Sequence, residues 1–93
     1  MGNGHLQAKV IKVFTGRHFV QLHVLQGTLY RDDSLCFMGS EASGVSHISV
    51  HRAHEIQVEN KPAKHVGAGK KCVIMIDPTQ PLPPQGSMVF LAT

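Results

Sequence analysis

The sequence is poor in aromatic and charged residues. It has no tryptophan, one tyrosine and four phenylalanines, and Asp, Glu, Lys and Arg make up only 16% of its 93 residues. So few aromatic side chains give little support to base stacking of the kind that proteins use on single-stranded nucleic acids. No run reaches the roughly 18 apolar residues of a membrane helix, and the N-terminus lacks a basic segment followed by an apolar one. We therefore expect a soluble, cytoplasmic protein without a membrane partner.

Motifs of two enzyme classes are also missing. A phosphate-binding loop needs G-x-x-x-x-G-K-[ST], and the nearest match, ending in Gly69-Lys70, has Lys64 in place of the first glycine and Lys71 in place of Ser or Thr. No serine stands in a G-x-S-x-G elbow. The adjacent carboxylates of Asp32-Asp33 are explained by turn hydrogen bonds. We expect no catalytic residues, no GTP hydrolysis and no enzymatic activity.

The remaining composition is that of one small folded domain spanning residues 1–93. Leu, Ile, Val and Phe supply about 28% of the chain, above the roughly 20% below which chains stay disordered. Cys36 and Cys72 each stand in an apolar run, where buried free thiols are common, so we expect both to be reduced core residues. The net charge of +3 permits a phosphate-bearing partner without by itself indicating one.

Alternating apolar residues predict strands in the first half of the chain. Residues 20–24 alternate between Val or Leu and Gln or His, and the turn Thr15-Gly16-Arg17 is expected to join them to a strand over 6–14. Gly27 ends the second strand, and a loop through residues 30–33 leads to a third strand over 34–38, closed by a turn over 39–44.

The second half continues this pattern. Residues 45–54 place Ile48 and Val50 on one face and His47, Ser49 and His51 on the other, as in a half-solvated strand. Ile56 and Val58 continue after an irregularity near Ala53. The remaining segments are a long loop over 60–71, a strand over 72–76 covered on both faces, a proline-rich stretch over 78–84 and a last strand over 88–92. Together these segments predict an all-β fold, a small antiparallel barrel of six or seven strands.

The order and spacing of turn residues resemble the second domain of the translational GTPases, the β-barrel of elongation factor Tu and its relatives, over roughly residues 8–91. The matching positions are Gly16-Arg17 in a hairpin, Gly27 after the second strand, Asp32-Asp33, Gly39 after the third strand, Ala68-Gly69 before a core strand and Gly86 before Met88-Val89. The resemblance implies that fold and a translation setting. Small stand-alone proteins with this barrel, and barrels appended to some putative peptidases, are similar too.

The chain departs from the family's pattern at three places. His18-Phe19 replaces a small pair, and Lys70-Lys71 replaces a pair that is usually acidic or amide-bearing. Asp32 stands where the family has a glycine, and we expect positive φ there, a conformation that Asp tolerates. The GTP-binding domain of the family is absent from the sequence.

Three histidines raise the question of a metal site. His47, His51 and His54 would share one face of a helix, as zinc requires. On a strand, however, His47 and His51 lie about 13 Å apart, and His54 points elsewhere. Because Zn–N bonds measure about 2.1 Å, one ion cannot close that span. We therefore expect no metal site and no cofactor.

The candidate binding residues are basic and lie in predicted turns and loops, where they can reach phosphates. They are Arg17, His18, Lys61, Lys64, His65, Lys70 and Lys71. We expect a non-enzymatic module that contacts structured RNA or a ribonucleoprotein through this basic loop. The alternative is a protein-docking or adaptor barrel, acting alone or as an accessory domain of a larger enzyme.

Overall fold

A computed structural model describes residues 5–40 and 46–92. Each regular element in these ranges is a strand. None of them forms a helix with the length and hydropathy needed to cross a bilayer. In chain order the strands are β1 (Gln7–Phe14), β2 (Phe19–Gln26), β3 (Thr28–Tyr30), β4 (Ser34–Ser40), β5 (Ser46–Arg52), β6 (Ile56–Val58), β7 (Lys61–Pro62), β8 (His65–Gly67), β9 (Lys71–Met75) and β10 (Met88–Leu91).

Eight strands form one antiparallel sheet in the order β5-β4-β10-β1-β2-β9-β6-β7, and β3 pairs with β8 in a separate two-stranded ribbon. The prediction of an all-β antiparallel fold is confirmed. The sheet is not closed into the predicted barrel, and it has more strands than the six or seven expected. Within the described ranges no ladder joins its edges, β5 and β7. β7 consists of two residues, and Pro62 has no N–H with which to extend the ladder.

The core lies on the inner face of this sheet. Val20, Leu22 and Val24 of β2 are fully buried, as their alternation predicts. The other strands, the β3-β8 ribbon and residues next to strand ends add side chains that are at most 3% exposed. These are Leu6, Ala8, Val10, Leu29, Leu35, Phe37, Ala53, Ile56, Val66, Cys72, Ile74, Ile76 and Val89.

Three segments differ from their predicted form. Between Gly27 and the strand expected over 34–38, where the prediction has only a loop, the structure has β3 (Thr28–Tyr30). The loop expected over residues 60–71 contains β7 and β8, which are too short and too polar to be recognised by periodicity. The strand expected to be covered on both faces, β9, has one covered face, because Val73 is half-buried and Met75 is exposed. Residues 41–45, within or next to the turn expected over 39–44, lie outside the described residues.

Positive φ angles occur at the turns that the sequence marks. Gly27 has φ of 77°, and a Cβ there would lie 3.0 Å from the Leu6 Cα, so glycine is required both by conformation and by space. Asp32 has φ of 72°, which confirms the expected conformation at the position where the resembling family has glycine.

The edge strand β5 turns its apolar residues outward. Ile48 and Val50 are 68% and 59% exposed, whereas His51 is buried. The cross-strand register explains this reversal, because Leu35 of β4 pairs with His51 and the inward-facing Phe37 pairs with Ser49. Directly paired residues lie on the same face of a sheet. The histidine and serine positions of β5 therefore face the core.

Candidate nucleic-acid interface

The predicted basic residues fall into two groups at opposite ends of the β2-β9 ladder. This ladder pairs His23 with Lys71 at one end and Phe19 with Met75 at the other. Four residue steps along the strand separate these pairs by roughly 13 Å. The lysines and His65 lie toward the first end and the β8 ribbon, whereas the β1-β2 hairpin with Arg17 and His18 lies at the second. The structure therefore does not bring all seven residues together.

The β3-β8 ribbon presents an aromatic pair beside cations. Tyr30 pairs with His65 across the ladder, and their rings are 5.9 Å apart between centroids at an interplanar angle of 41°. Next to this pair, the Arg31 N–H donates to the Lys64 carbonyl over 2.9 Å. The side chains of Tyr30, Arg31, Lys64 and His65 are all exposed. Leu29 and Val66, which alternate with the ring pair, are buried and anchor the ribbon to the core.

The turn between β8 and β9 holds two further lysines beside β2. The Gly69 N–H donates to the Val24 carbonyl over 2.7 Å, and the Val24 N–H donates to the Lys70 carbonyl over 2.9 Å. Gly69 adopts φ of 86°, which lets the turn close. The backbone of the turn is thus fixed to β2, while Lys70 and Lys71 remain exposed. Lys61 of β7, three residues before Lys64, is exposed as well. We call this set of residues the basic ribbon; its members are Tyr30, Arg31, Lys61, Lys64, His65, Lys70 and Lys71.

Among the described residues, the cations of the basic ribbon form no ion pair. Over residues 5–40 and 46–92, the one ion pair joins His54 Nδ1 to Asp32 Oδ1 at 3.7 Å, and both side chains are exposed. No carboxylate in these ranges comes within salt-bridge distance of a ribbon lysine or of Arg31. These charges are therefore available to an external anion.

The hairpin residues have a different environment. His18 adopts φ of 61°, and its Nε2 lies 2.8 Å from the Gln80 carbonyl, so the ring is held against the turn that follows β9. Arg17 is exposed, and its N–H donates to the Phe14 carbonyl. Arg17 can reach a phosphate, but it would do so from a separate part of the surface. Its predicted role and that of His18 in binding stay predictions.

A group that sequence reasoning did not assemble lies on the inner face of β5. The Nε2 atoms of His47 and His51 lie 2.8 Å and 2.9 Å from the Ser49 Oγ. The two rings lean along the strand toward this hydroxyl, although their backbone positions are separated as the strand spacing predicts. The His-x-Ser-x-His spacing is the signal in the sequence that could have revealed this convergence.

His51 is the buried histidine of this group. Burial lowers the pKa of its imidazole, and the neighbouring His47 lowers it further. His51 also lines an open cleft of about 580 Å³ together with Arg52, Glu55, Asp77 and Gln80. In the part of the chain that the structure describes, no three or more His, Cys, Asp or Glu side chains are grouped so that they could hold a metal ion.

The positive φ angles at Gly27, Asp32 and Gly86 fall at turns on which the resemblance to translation-factor barrels depends. Similar turn positions occur in many small β domains, so they support the all-β fold without assigning a family. Neither the models of known protein families nor the curated proteins with which the chain was compared give a match.

Proposed function

We propose that this chain is a non-enzymatic binding module that contacts structured RNA or a ribonucleoprotein through the basic ribbon. The observation that carries the proposal is a set of exposed cations that form no ion pair within the described residues, of which Arg31 and Lys64 adjoin the Tyr30–His65 ring pair. The resemblance to the second domain of translational GTPases supports a translation setting for this activity.

The ribbon chemistry suits backbone recognition better than reading of bases. Lysines act on phosphates as point charges, and Arg31 can form a bidentate contact. One exposed tyrosine and one exposed histidine offer a single small stacking surface, which is less than single-strand binding proteins use. We therefore expect affinity in the micromolar range at best, with little dependence on sequence.

The test is a titration of a fluorescent RNA hairpin at several salt concentrations. With three to five phosphate contacts, the slope of log affinity against log salt should be roughly −2 to −5. The double variant K70A/K71A should reduce the magnitude of this slope by about one to two while changing stability by less than about 0.5 kcal/mol. The control K12A/R52A removes the same charge from exposed positions of β1 and β5, outside the basic ribbon, and should keep the wild-type slope.

An unchanged slope in K70A/K71A would show that these lysines only solvate their turn. Equal losses in both double variants would indicate a response to net charge rather than a contact surface. Absence of RNA binding even at low salt, together with a protein partner from lysate that stays bound after ribonuclease treatment, would support the alternative of protein docking.

A specific observation favours that second candidate. Four exposed apolar side chains lie on the outer face of the adjoining strands β10, β4 and β5: Phe90, Met38, Ile48 and Val50. We call this surface the apolar outer face. Contiguous exposed apolar residues commonly mark protein interaction sites. An adaptor or accessory-domain role would use this face, and M38K would then weaken capture of the protein partner.

A further inference from the structure

The two edges of the main sheet are built in opposite ways. The β7 edge is two residues long and consists of Lys61 and Pro62, and short length, lysine and proline are the usual protections against edge pairing. The β5 edge is seven residues long and pairs with β4 in unbroken register from Ser46 to Arg52. Within the described ranges no strand pairs with its other side. One edge is therefore protected and the other is not.

The hydrogen bonds around Ala53 show which backbone groups of β5 face its free edge. The Ala53 N–H donates to the Asp33 carbonyl over 2.9 Å, and its carbonyl accepts from the Asp32 N–H over 2.8 Å. Backbone groups of successive strand residues point to opposite sides. Ser49 therefore directs its N–H and C=O toward β4, while Ile48 and Val50 direct theirs toward the free edge.

The sequence of this edge is self-complementary. On either side of Ser49 stand one β-branched aliphatic residue and then one histidine: Ile48 and His47 before it, Val50 and His51 after it. A two-fold axis at Ser49 would place Ile48 opposite Val50 of a second copy and His47 opposite its His51. Aliphatic side chains would then pair on one face and histidines on the other. The outward N–H and C=O groups of Ile48 and Val50 would form hydrogen bonds with those of the second copy.

We propose that β5 pairs in antiparallel orientation with β5 of a second copy of this chain, about a two-fold axis at Ser49. This is an isologous interface, the arrangement that closes at two subunits. It joins the two sheets into one and brings the two apolar outer faces side by side. Because a single strand from each copy forms it, the buried area is small and the dimer should be weak and concentration-dependent.

The experiment is sedimentation equilibrium of the whole chain from about 10 μM to about 1 mM, with variants on β5. The wild type should change from monomer toward dimer over this range. Because an unpaired charge at an edge opposes strand pairing, I48K and V50E should each weaken dimerisation by at least about tenfold. The double variant I48K/V50E places opposite charges across the axis at both positions and should restore the dimer. I48K/V50K places like charges there and should stay monomeric.

Met38 supplies the matched control. It is 45% exposed on the same face but lies on β4, one strand away from the proposed contact. M38K should leave edge pairing unchanged, whereas it would disrupt two copies packed face to face. Far-ultraviolet circular dichroism and the melting temperature confirm that each variant folds.

Three results would overturn the proposal. One is a wild type that stays monomeric up to about 1 mM. Another is a dimer that M38K dissociates, and the third is an I48K/V50E variant that stays as monomeric as I48K/V50K. None of them bears on RNA binding, since no basic-ribbon residue is altered.

Discussion

Strands β2 and β5 have the same alternating pattern but opposite orientation. In β2, Val20, Leu22 and Val24 are buried, and Gln21 and His23 lie on the other face. In β5 the Ile and Val positions are exposed, and His51 is buried. Alternation divides a strand into two sets of side chains. The neighbouring strand then decides which set faces the core, and in β5 that neighbour is β4 with Leu35 and Phe37.

Polar side chains of β5 can face the core because they form hydrogen bonds with one another. The Ser49 hydroxyl contacts both imidazoles, and the His51 ring packs edge-on against Phe37 with centroids 5.3 Å apart. Over the described ranges no buried side-chain nitrogen or oxygen lacks a hydrogen-bond partner. The inward-facing side chains of β5 are thus held by hydrogen bonds, whereas those of β2 are held by apolar packing.

The largest expected difference between the two strands is in truncation of their aliphatic residues. Leu22 is fully buried, so Leu22→Ala should lower the free energy of unfolding by about 2–5 kcal/mol. Ile48→Ala, on the exposed face of β5, should lower it by no more than about 0.5–1 kcal/mol. Urea denaturation at low protein concentration measures both. Similar losses would mean that Ile48 is covered in solution.

The reactivity of the two cysteines tests the same difference, because Cys72 lies on β9 beside β2 and Cys36 lies on β4 beside β5. Burial raises the pKa of the Cys72 thiol to about 12, whereas Cys36 is half-buried on the outer side of β4. Thiolate is the reactive form, so one thiol of the native protein should react with a disulfide reagent at pH 8 at least about a hundredfold faster than the other. Mass spectrometry of the product should place the fast label on Cys36. Fast labelling of Cys72 would show that the β2-β9 half opens readily.

Packing on the inner side of β4 can be tested at Gly39. A Cβ there would lie 3.1 Å from the Ser87 Cβ and 3.2 Å from its Cα, so Gly39→Ala should destabilise the fold by about 1–3 kcal/mol. Gly67→Ala introduces the same methyl group into open space on β8 and is the matched control. Equal thermal stability of the two variants would show that the β4 side is loosely packed.

The smallest expected effect is a pH dependence from His51. Its pKa is lowered on folding, so below about pH 6.5 the unfolded chain binds a proton that the folded chain does not. Stability should therefore fall as the pH decreases through this range. His51→Gln should flatten the pH profile of the unfolding free energy between pH 7.5 and pH 5, and His65→Gln, at an exposed position, is the control. An unchanged profile in His51→Gln would assign the dependence to other groups.

The positions of most strands along the chain can be predicted from the sequence. The strongly apolar segments of β1, β2, β4, β9 and β10 were placed within a few residues, because their side chains alternate or run together. The two-residue β7 and the three-residue β3 and β8 cannot be predicted in this way, since so short a strand carries no period and depends on its partner. The basic residues could be identified by type and loop position. Their division into two groups could not be predicted, because it follows from the pairing of β2 with β9.

The sequence by itself determined an all-β fold, the turns at Gly27 and Asp32 and the exposure of Lys70 and Lys71, because these depend on local side-chain pattern and backbone freedom. Tertiary structure alone decided that the sheet remains open, that Tyr30 meets His65, and that Ile48 and Val50 face outward. Each of these features requires the register between segments distant in sequence. A shift of one residue in that register would reverse both faces of a strand.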